Sequence, residues 1–317
     1  MNRRAFVKST LAAAMTAPAW GARAMAAPAA ASETGAPAFR MKFGPHHGHF
    51  KAHAGEGILE QIRFGHDAGF RAWEDNGLTG REVGLQKEMG KLFDSLGMTM
   101  GVFVAFADFR HPLFAGHRLD INDRKRNPDA VRAKLGALME QAVEASKRVN
   151  ARWCTVVPGT VDPSVPFEYQ TANTVEMLKF CADICEPTGL VLVLEPLNYI
   201  NHPGCFLQRI AHAHQICRMV GSPSVKILDD LYHQQITEGN LITNMIDAWD
   251  EIAYIQVGDV PGRNEPTTGE INYRRIFQWL HDRGFDGVIG MEHGISREGP
   301  EGEKALIEAY RSVDARV

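Results

Sequence analysis

Four oxygen-bearing side chains, Glu195, Asp230, Gln256 and Glu292, recur along the second half of the chain at spacings of 35, 26 and 36 residues. Each closely follows a short apolar run, as in Leu192-Val193-Leu194-Glu195 and Ile289-Gly290-Met291-Glu292. Three carboxylates gathered at one place repel one another, and a divalent cation removes that cost. An all-oxygen donor set favours a hard ion, Mn²⁺ or Mg²⁺, although Co²⁺ or Zn²⁺ also fits such ligands. An ion of that kind acts as a Lewis acid on a carbonyl oxygen and its neighbouring hydroxyl, acidifying the C–H between them. One carboxylate can then remove the proton and a second can return it. Any one of these acids alone reads as a helix cap or a solvated group. The shared phase of all four is what points to chemistry.

That phase needs elements to carry it. Short apolar runs recur at Met41–Phe43, Arg71–Trp73, Thr99–Val104, Trp153–Val157, Leu190–Leu194, Val225–Leu228, Ala253–Val257 and Gly287–Met291. Continuous apolar runs suit strands buried on both faces of a parallel sheet. Helical spacing separates them, as in Val131, Leu135, Leu138, Ala142 and Val149, or Val175, Leu178, Ala182 and Cys185. Gly69, Gly97, Asn150, Gly189, Gly221 and Gly284 stand where a helix C-cap accepts a left-handed residue. Eight strand–helix units predict an α/β fold, a single-domain (β/α)8 TIM barrel over residues 38–317, with chemistry at the C-terminal ends of the strands. No GxGxxG follows the first run, which argues against a dinucleotide fold.

The chain has 317 residues, 44% hydrophobic and 23% charged, the composition of a globular protein rather than a disordered or fibrous one. The net charge is −4, and residues 1–26 carry four basic and no acidic side chains, so the remainder carries −8. Such a body is poorly suited to gripping phosphate backbones, and no nucleic-acid partner is expected. Asn2-Arg3-Arg4-Ala5-Phe6-Val7-Lys8, a mildly apolar stretch and Ala24-Met25-Ala26 resemble a twin-arginine signal peptide over residues 1–26. Periplasmic export follows from it, with residues 27–37 as a linker. No later run reaches the 18 apolar residues of a membrane span, so no stable membrane insertion is expected after signal cleavage. The five cysteines predict no disulfide framework.

Three longer motifs sharpen the reading. Leu194-Glu195-Pro196-Leu197-Asn198, then Asp230-Leu231-Tyr232-His233 with Glu238-Gly239-Asn240, and then Gln256 through Pro261-Gly262-Arg263-Asn264-Glu265-Pro266 to Gly269-Glu270-Ile271-Asn272-Tyr273 resemble the hydroxypyruvate isomerase family. The wider group is the xylose-isomerase-like barrels that isomerise or epimerise sugars. The resemblance implies a carbohydrate-metabolising, metal-dependent intramolecular oxidoreductase. Glu195, Asp230, Gln256 and Glu292 would hold the metal, and Glu195 and Glu292 would also move protons through a cis-enediolate. His233 would contact a substrate oxygen, and Arg263 would lie in a loop facing the substrate. The substrate would be a small sugar or keto-sugar, and association into dimers or tetramers is implied as well. Two positions depart from the pattern: Tyr199-Ile200-Asn201 and His293-Gly294-Ile295 replace segments that carry cationic side chains in that isomerase. A neutral sugar or keto-sugar therefore fits at least as well as hydroxypyruvate.

Weaker signals remain. His46, His47, His49 and His53 follow the first strand but match no tight zinc spacing. Trp73 reads equally as a sugar platform or as core. Cys154, Cys181 and Cys185 read as core, and Arg110-His111 with Arg118 through Arg126 as a basic loop after the third strand, a solvated face or an active-site lid. Among other functions, a lyase on 3-keto-glycosides would use the same metal and base, and release of an aglycone would mark it. A sugar-binding barrel without catalysis would show no proton exchange. A barrel nuclease related to endonuclease IV is disfavoured by the charge and by few strand-end histidines.

Overall fold

In a computed structural model, residues 35–316 are described. The twin-arginine signal expected over residues 1–26 and most of the linker expected over 27–37 lie outside them. The strands are β1 (Lys42–Gly44), β2 (Ala72–Trp73), β3 (Thr99–Met100), β4 (Val104–Ala107), β5 (Trp153–Val157), β6 (Val191–Leu194), β7 (Val225–Asp230), β8 (Ile252–Gln256) and β9 (Val288–Gly290). The helices are α1 (Lys51–Ala54), α2 (Ile58–Asp67), α3 (Val83–Leu96), α4 (Leu113–Gly116), α5 (Pro128–Val149), α6 (Phe167–Cys185), α7 (Ile210–Val220), α8 (Leu231–Thr237), α9 (Leu241–Asp247), α10 (Tyr273–Asp282) and α11 (Gly299–Val313).

Seven strands pair in the order β1-β9-β8-β7-β6-β5-β4, each pair parallel, and β2 pairs with β3. Backbone bonds close the circle. The Glu74 amide donates to the Pro45 carbonyl at 2.9 Å, Asp75 to Val102 at 3.2 Å, and Thr155 to Phe103 at 2.8 Å. The expected eight-unit barrel is therefore present, with one correction. The run Thr99–Val104 is not one strand; its ladder breaks at Gly101, and the segment resumes as β4, which ends at Ala107. A Cβ at Gly101 would collide with the Tyr254 hydroxyl, so the chain bends there to admit the ring.

Two apolar layers hold the barrel. Ala72, Val102, Trp153, Val191, Val193, Leu228, Tyr254 and Val288 fill its interior. A larger layer between sheet and helices contains Val131, Leu135, Ala142 and Val149 of α5 and Val175, Leu178, Ala182 and Cys185 of α6. These are positions the helical spacing predicts as inward. Asn127 caps α5, its side chain accepting from the Ala130 amide at 3.1 Å, and Asn150 ends the helix in the left-handed region at φ 52°. All five cysteines are buried and unbridged. Arg124, Lys125 and Arg126 are exposed, as a solvated face requires, but the arginines at both ends of the stretch also make inward contacts. Arg118 is ion-paired to buried Asp162, and Arg126 donates to His117 Nδ1 and Asn173 Oδ1. Among the described residues, no helix is long and apolar enough to cross a membrane.

Candidate active site

Strand geometry aims the site. Side chains two apart on a strand share a face. Val193, Leu228 and Tyr254 fill the barrel interior, so Glu195, Asp230 and Gln256 continue the same inward rows one step nearer the rim. The ladder sets Asp230 opposite Gln256 and Gln256 opposite Gly290. Glu292 follows Gly290 by two. Neighbouring Asp229 takes the other face of the strand and is fully buried.

Glu292 meets Asp230 through a shared Arg263, Gln256 stands opposite Asp230 on the ladder, and Glu195 and Asp230 come together with His233. Its Nε2 lies 3.7 Å from Glu195 Oε1 and 3.5 Å from Asp230 Oδ2. Glu195, Asp230 and His233 each offer a donor atom within 4.8 Å of the others. The hydrogen bonds around Asn198 fix which nitrogen of His233 carries the proton. Asn198 Oδ1 accepts from the backbone amides of Ile200 (3.1 Å) and Asn201 (2.9 Å), so its Nδ2 faces Asn201 Oδ1 (2.8 Å) and His233 Nδ1 (2.7 Å). The Asn198 amide N–H also points at Nδ1, at 3.2 Å. Nδ1 is thus an acceptor and Nε2 carries the hydrogen. Burial pulls the His233 pKa down to about 4, so the ring is a neutral donor aimed at the carboxylates. An N–H cannot also ligate a cation, so His233 stands outside any metal shell.

Arg263 lies among the carboxylates themselves. Its Nη2 is 2.7 Å from Asp230 Oδ2 and 2.6 Å from Glu292 Oε2, its Nε donates to the Glu292 carbonyl at 3.1 Å, and its guanidinium covers the Tyr232 ring at 4.7 Å. Burial works against that charge, but Asp230, Glu292 and Glu195 outweigh it and raise the Arg263 pKa. The loop that carries it is anchored by buried Asp259, which accepts from the amides of Gly269 (2.9 Å) and Ile271 (3.0 Å). Glu265 accepts from the Ser296 amide at 2.9 Å, and Asn272 caps α10.

Sequence reading overlooked Glu74, the inward residue two beyond Ala72. It is fully buried and accepts from Gln256 Nε2 at 2.6 Å and from the Tyr254 hydroxyl at 3.1 Å. A Cβ at Gly290 would strike its carboxylate, so the opposite strand carries glycine there. Asn76, also overlooked, donates to Glu292 Oε1 at 2.7 Å. Trp73 is core, fully buried beside Phe50.

Asp230 and Glu292 thus hold the Arg263 guanidinium, Glu195 feels its charge, and Glu74 lies buried beside Gln256 and Tyr254. Burial is the largest cause that raises the pKa of Glu74, Glu195 and Glu292, followed for Glu74 and Glu195 by the Glu292 charge; for Glu292, Arg263 opposes the rise. Such a cluster must hold protons or gain a cation. One atom tests the fit to a metal. Gln256 Oε1 is buried and has no hydrogen-bond partner, because Glu74 takes the amide nitrogen and turns the carbonyl oxygen away. A buried carbonyl oxygen left unpaired beside carboxylates is a ready ligand for a hard cation. A cavity of about 480 Å³ opens beside Glu292 and Arg263, lined also by His46, His47, Asp75 and Arg81. His46 and His47 thus reach the rim. His49 and His53 do not line it; His49 is buried against the His293 carbonyl, and His53 pairs with Glu303 at 2.5 Å.

Residues 62–313 match the family model described as xylose isomerase-like TIM barrel. The chain belongs to that family. Over 163 residues it is 32% identical to a 2-oxo-tetronate isomerase of Cupriavidus necator, covering 51% of this chain and 61% of that one. Over 122 residues it is 35% identical to the hydroxypyruvate isomerase of Escherichia coli strain K12, covering 38% of this chain and 47% of that one. The chain thus spans about half the length of these relatives. Among solved structures, the 3-keto-D-glucoside 4-epimerase of E. coli aligns over 86% of this chain and 99% of its own with a TM-score of 0.68 and 21% identity, a likeness of fold.

Proposed function

We propose that the protein is a divalent-metal-dependent enzyme that enolises a small sugar or keto-sugar and completes an isomerisation or epimerisation. Glu195, Asp230, Gln256 and Glu292 would hold the metal, which supplies Lewis-acid polarisation of the substrate's carbonyl and neighbouring hydroxyl. Glu195 and Glu292 act as the proton-transfer pair. One removes the proton beside the carbonyl and the other delivers a proton to the adjacent carbon, or to the opposite face. His233 Nε2–H donates to the oxygen on which negative charge collects. A neutral imidazole suits that task, since it strengthens its hydrogen bond as the oxygen becomes basic without giving up a full charge.

The observation that carries this reading is the fixed Nε2–H of His233, set between Glu195 and Asp230 by Asn198. The test is solvent deuterium exchange. The Mn²⁺-loaded protein is given hydroxypyruvate, ketohexoses, pentoses and a 3-keto-glucoside in D₂O, and label beside the carbonyl is followed by NMR. Metal-dependent label that disappears in Glu195→Gln and Glu292→Gln supports the assignment. Bound metal without exchange on any member would leave a sugar-binding barrel and end the enzymatic reading.

A further inference from the structure

The cavity beside Glu292 has a polar wall that the proton-transfer chemistry leaves unused. Asp75, Gly77 and Arg81 form it, from the segment that follows β2. Asp75 is buried, with 3% of its side chain exposed, and accepts two-pronged from Arg81, Nε to Oδ2 at 2.5 Å and Nη2 to Oδ1 at 2.9 Å. The Gly77 amide donates to the same carboxylate at 3.3 Å. A guanidinium carries five N–H groups in one rigid plane. Asp75 takes two of them, and the two on Nη1 have no partner among the described residues. Arg81 bonds to none of Glu195, Asp230, Gln256 and Glu292. Its open edge therefore serves an oxygen that the candidate metal ligands do not hold.

This wall is fixed from behind. Buried Gln86, on α3, donates through Nε2 to the Leu78 carbonyl at 3.0 Å and the Arg81 carbonyl at 2.8 Å, and its Oε1 accepts from Arg148 at 3.0 Å. Backbone and guanidinium of Arg81 are thus both set before anything binds. An arginine free in solvent loses rotamer freedom when it takes a ligand, and here folding has already removed that freedom. Asp75 also cancels the guanidinium charge. The pair presents aimed N–H groups without net charge, which suits a hydroxyl oxygen better than a phosphate or carboxylate, because an anion would also face Asp75.

We propose that Arg81 is a specificity-determining residue that binds, through Nη1, a substrate hydroxyl beyond the reacting carbons, and that Asp75 is the positioning residue that aims it and sets its preference for an uncharged group. This rests on the enolising reading above and adds to it the part of the substrate that does not react.

The experiment measures deuterium exchange by the full Mn²⁺-loaded chain on dihydroxyacetone, which ends at the reacting carbons, and on D-fructose and methyl 3-keto-glucoside, which extend beyond them. Arg81→Gln combined with Asp75→Asn removes the guanidinium without stranding a buried charge. Relative to dihydroxyacetone, it should raise KM for the longer compound that the unaltered protein labels faster by about ten- to hundredfold, the effect falling on KM rather than kcat. Arg81→Lys keeps the charge but not the planar fork and should lose the same discrimination. Asp75→Asn alone leaves the guanidinium charge uncancelled, so sulfate should compete with the longer compound at least tenfold more strongly than in the unaltered protein. A KM ratio unmoved in the double variant or in Arg81→Lys, a loss equal on dihydroxyacetone and the longer compound, labelling of dihydroxyacetone alone, or equal competition by sulfate in Asp75→Asn and the unaltered protein would overturn the inference and leave enolisation standing. Exchange on none of the three, with Mn²⁺ bound, removes the enolising reading and this inference with it.

Discussion

Replacing Glu74 by glutamine changes one oxygen to an amine at a site that no substrate reaches. The native carboxylate accepts from Gln256 Nε2 at 2.6 Å and from Tyr254 Oη at 3.1 Å. A glutamine offers one acceptor oxygen where two donors converge, so one buried donor loses its partner. That costs about 1–3 kcal/mol, or a fall in Tm of roughly 2–4 °C per kcal/mol for a domain of this size. The more specific effect concerns Gln256. It can relieve the conflict by turning its amide over, which pairs its oxygen with the new amine and points its own NH₂ at the carboxylates. The cation then meets a donor hydrogen in place of an oxygen. Loss of a partner that orients a ligand typically lowers metal affinity about 10–100-fold. Mn²⁺ binding, followed by electron paramagnetic resonance and by calorimetry, reads that loss without reference to turnover. Tyr254→Phe is the control: it removes the other donor, leaves Gln256 held by Glu74, and should bind Mn²⁺ as the unaltered protein does. Unchanged Mn²⁺ affinity in Glu74→Gln would refute the claim that Glu74 aims the Gln256 oxygen. Equal losses in both variants would reduce Glu74 to a packing role.

Glu195→Gln and Glu292→Gln should each slow deuterium exchange by about 10²–10⁴-fold; full exchange in either variant would remove that residue from the proton-transfer pair. Asn198→Asp reverses the polarity at His233 Nδ1, so the ring proton moves to Nδ1 and Nε2 becomes an acceptor. Exchange should fall at least tenfold with the fold retained, and 15N NMR of the ring should show the exchanged tautomer; an unchanged tautomer would contradict the assignment. Burial penalises the imidazolium form and sets His293 near pKa 3 and His233 near 4. Both therefore stay neutral as pH falls from 8 to 5, and their ring carbon shifts should stay flat across that range. A midpoint near 6.5 for either would show a solvated ring and contradict its burial.

What the sequence made legible follows from period. Eight apolar runs place eight strand positions, and a strand's two-residue period carries the inward face from Val193, Leu228 and Tyr254 to Glu195, Asp230 and Gln256. The same rule leads from Ala72 to Glu74, but β2 is two residues long and gives too little pattern to establish a face. Trp73 holds the position between them and drew attention as a ring, although it is core. The His233 tautomer was not legible, because it depends on Asn198, 35 residues away, adopting one amide orientation. Nor was the double commitment of Arg263, because a loop arginine in sequence has no visible partner.

The long motifs themselves are informative in a different way from the strand ends. In Gly258-Asp259 through Asn272-Tyr273, Asp259 ties the loop amides, Glu265 ties Ser296 and Asn272 caps α10. Most of that motif is spent on satisfying buried backbone groups, and Arg263 alone in it reaches the carboxylates. A shared motif of this kind carries over the architecture of a site and its proton-transfer centre. His46, His47, Asp75 and Arg81 lie outside the resembling segments and line the cavity beside Glu292 and Arg263. Two chains can therefore share the loop and the metal-binding pattern while differing in what they bind, so substrate identity has to be argued from the rim.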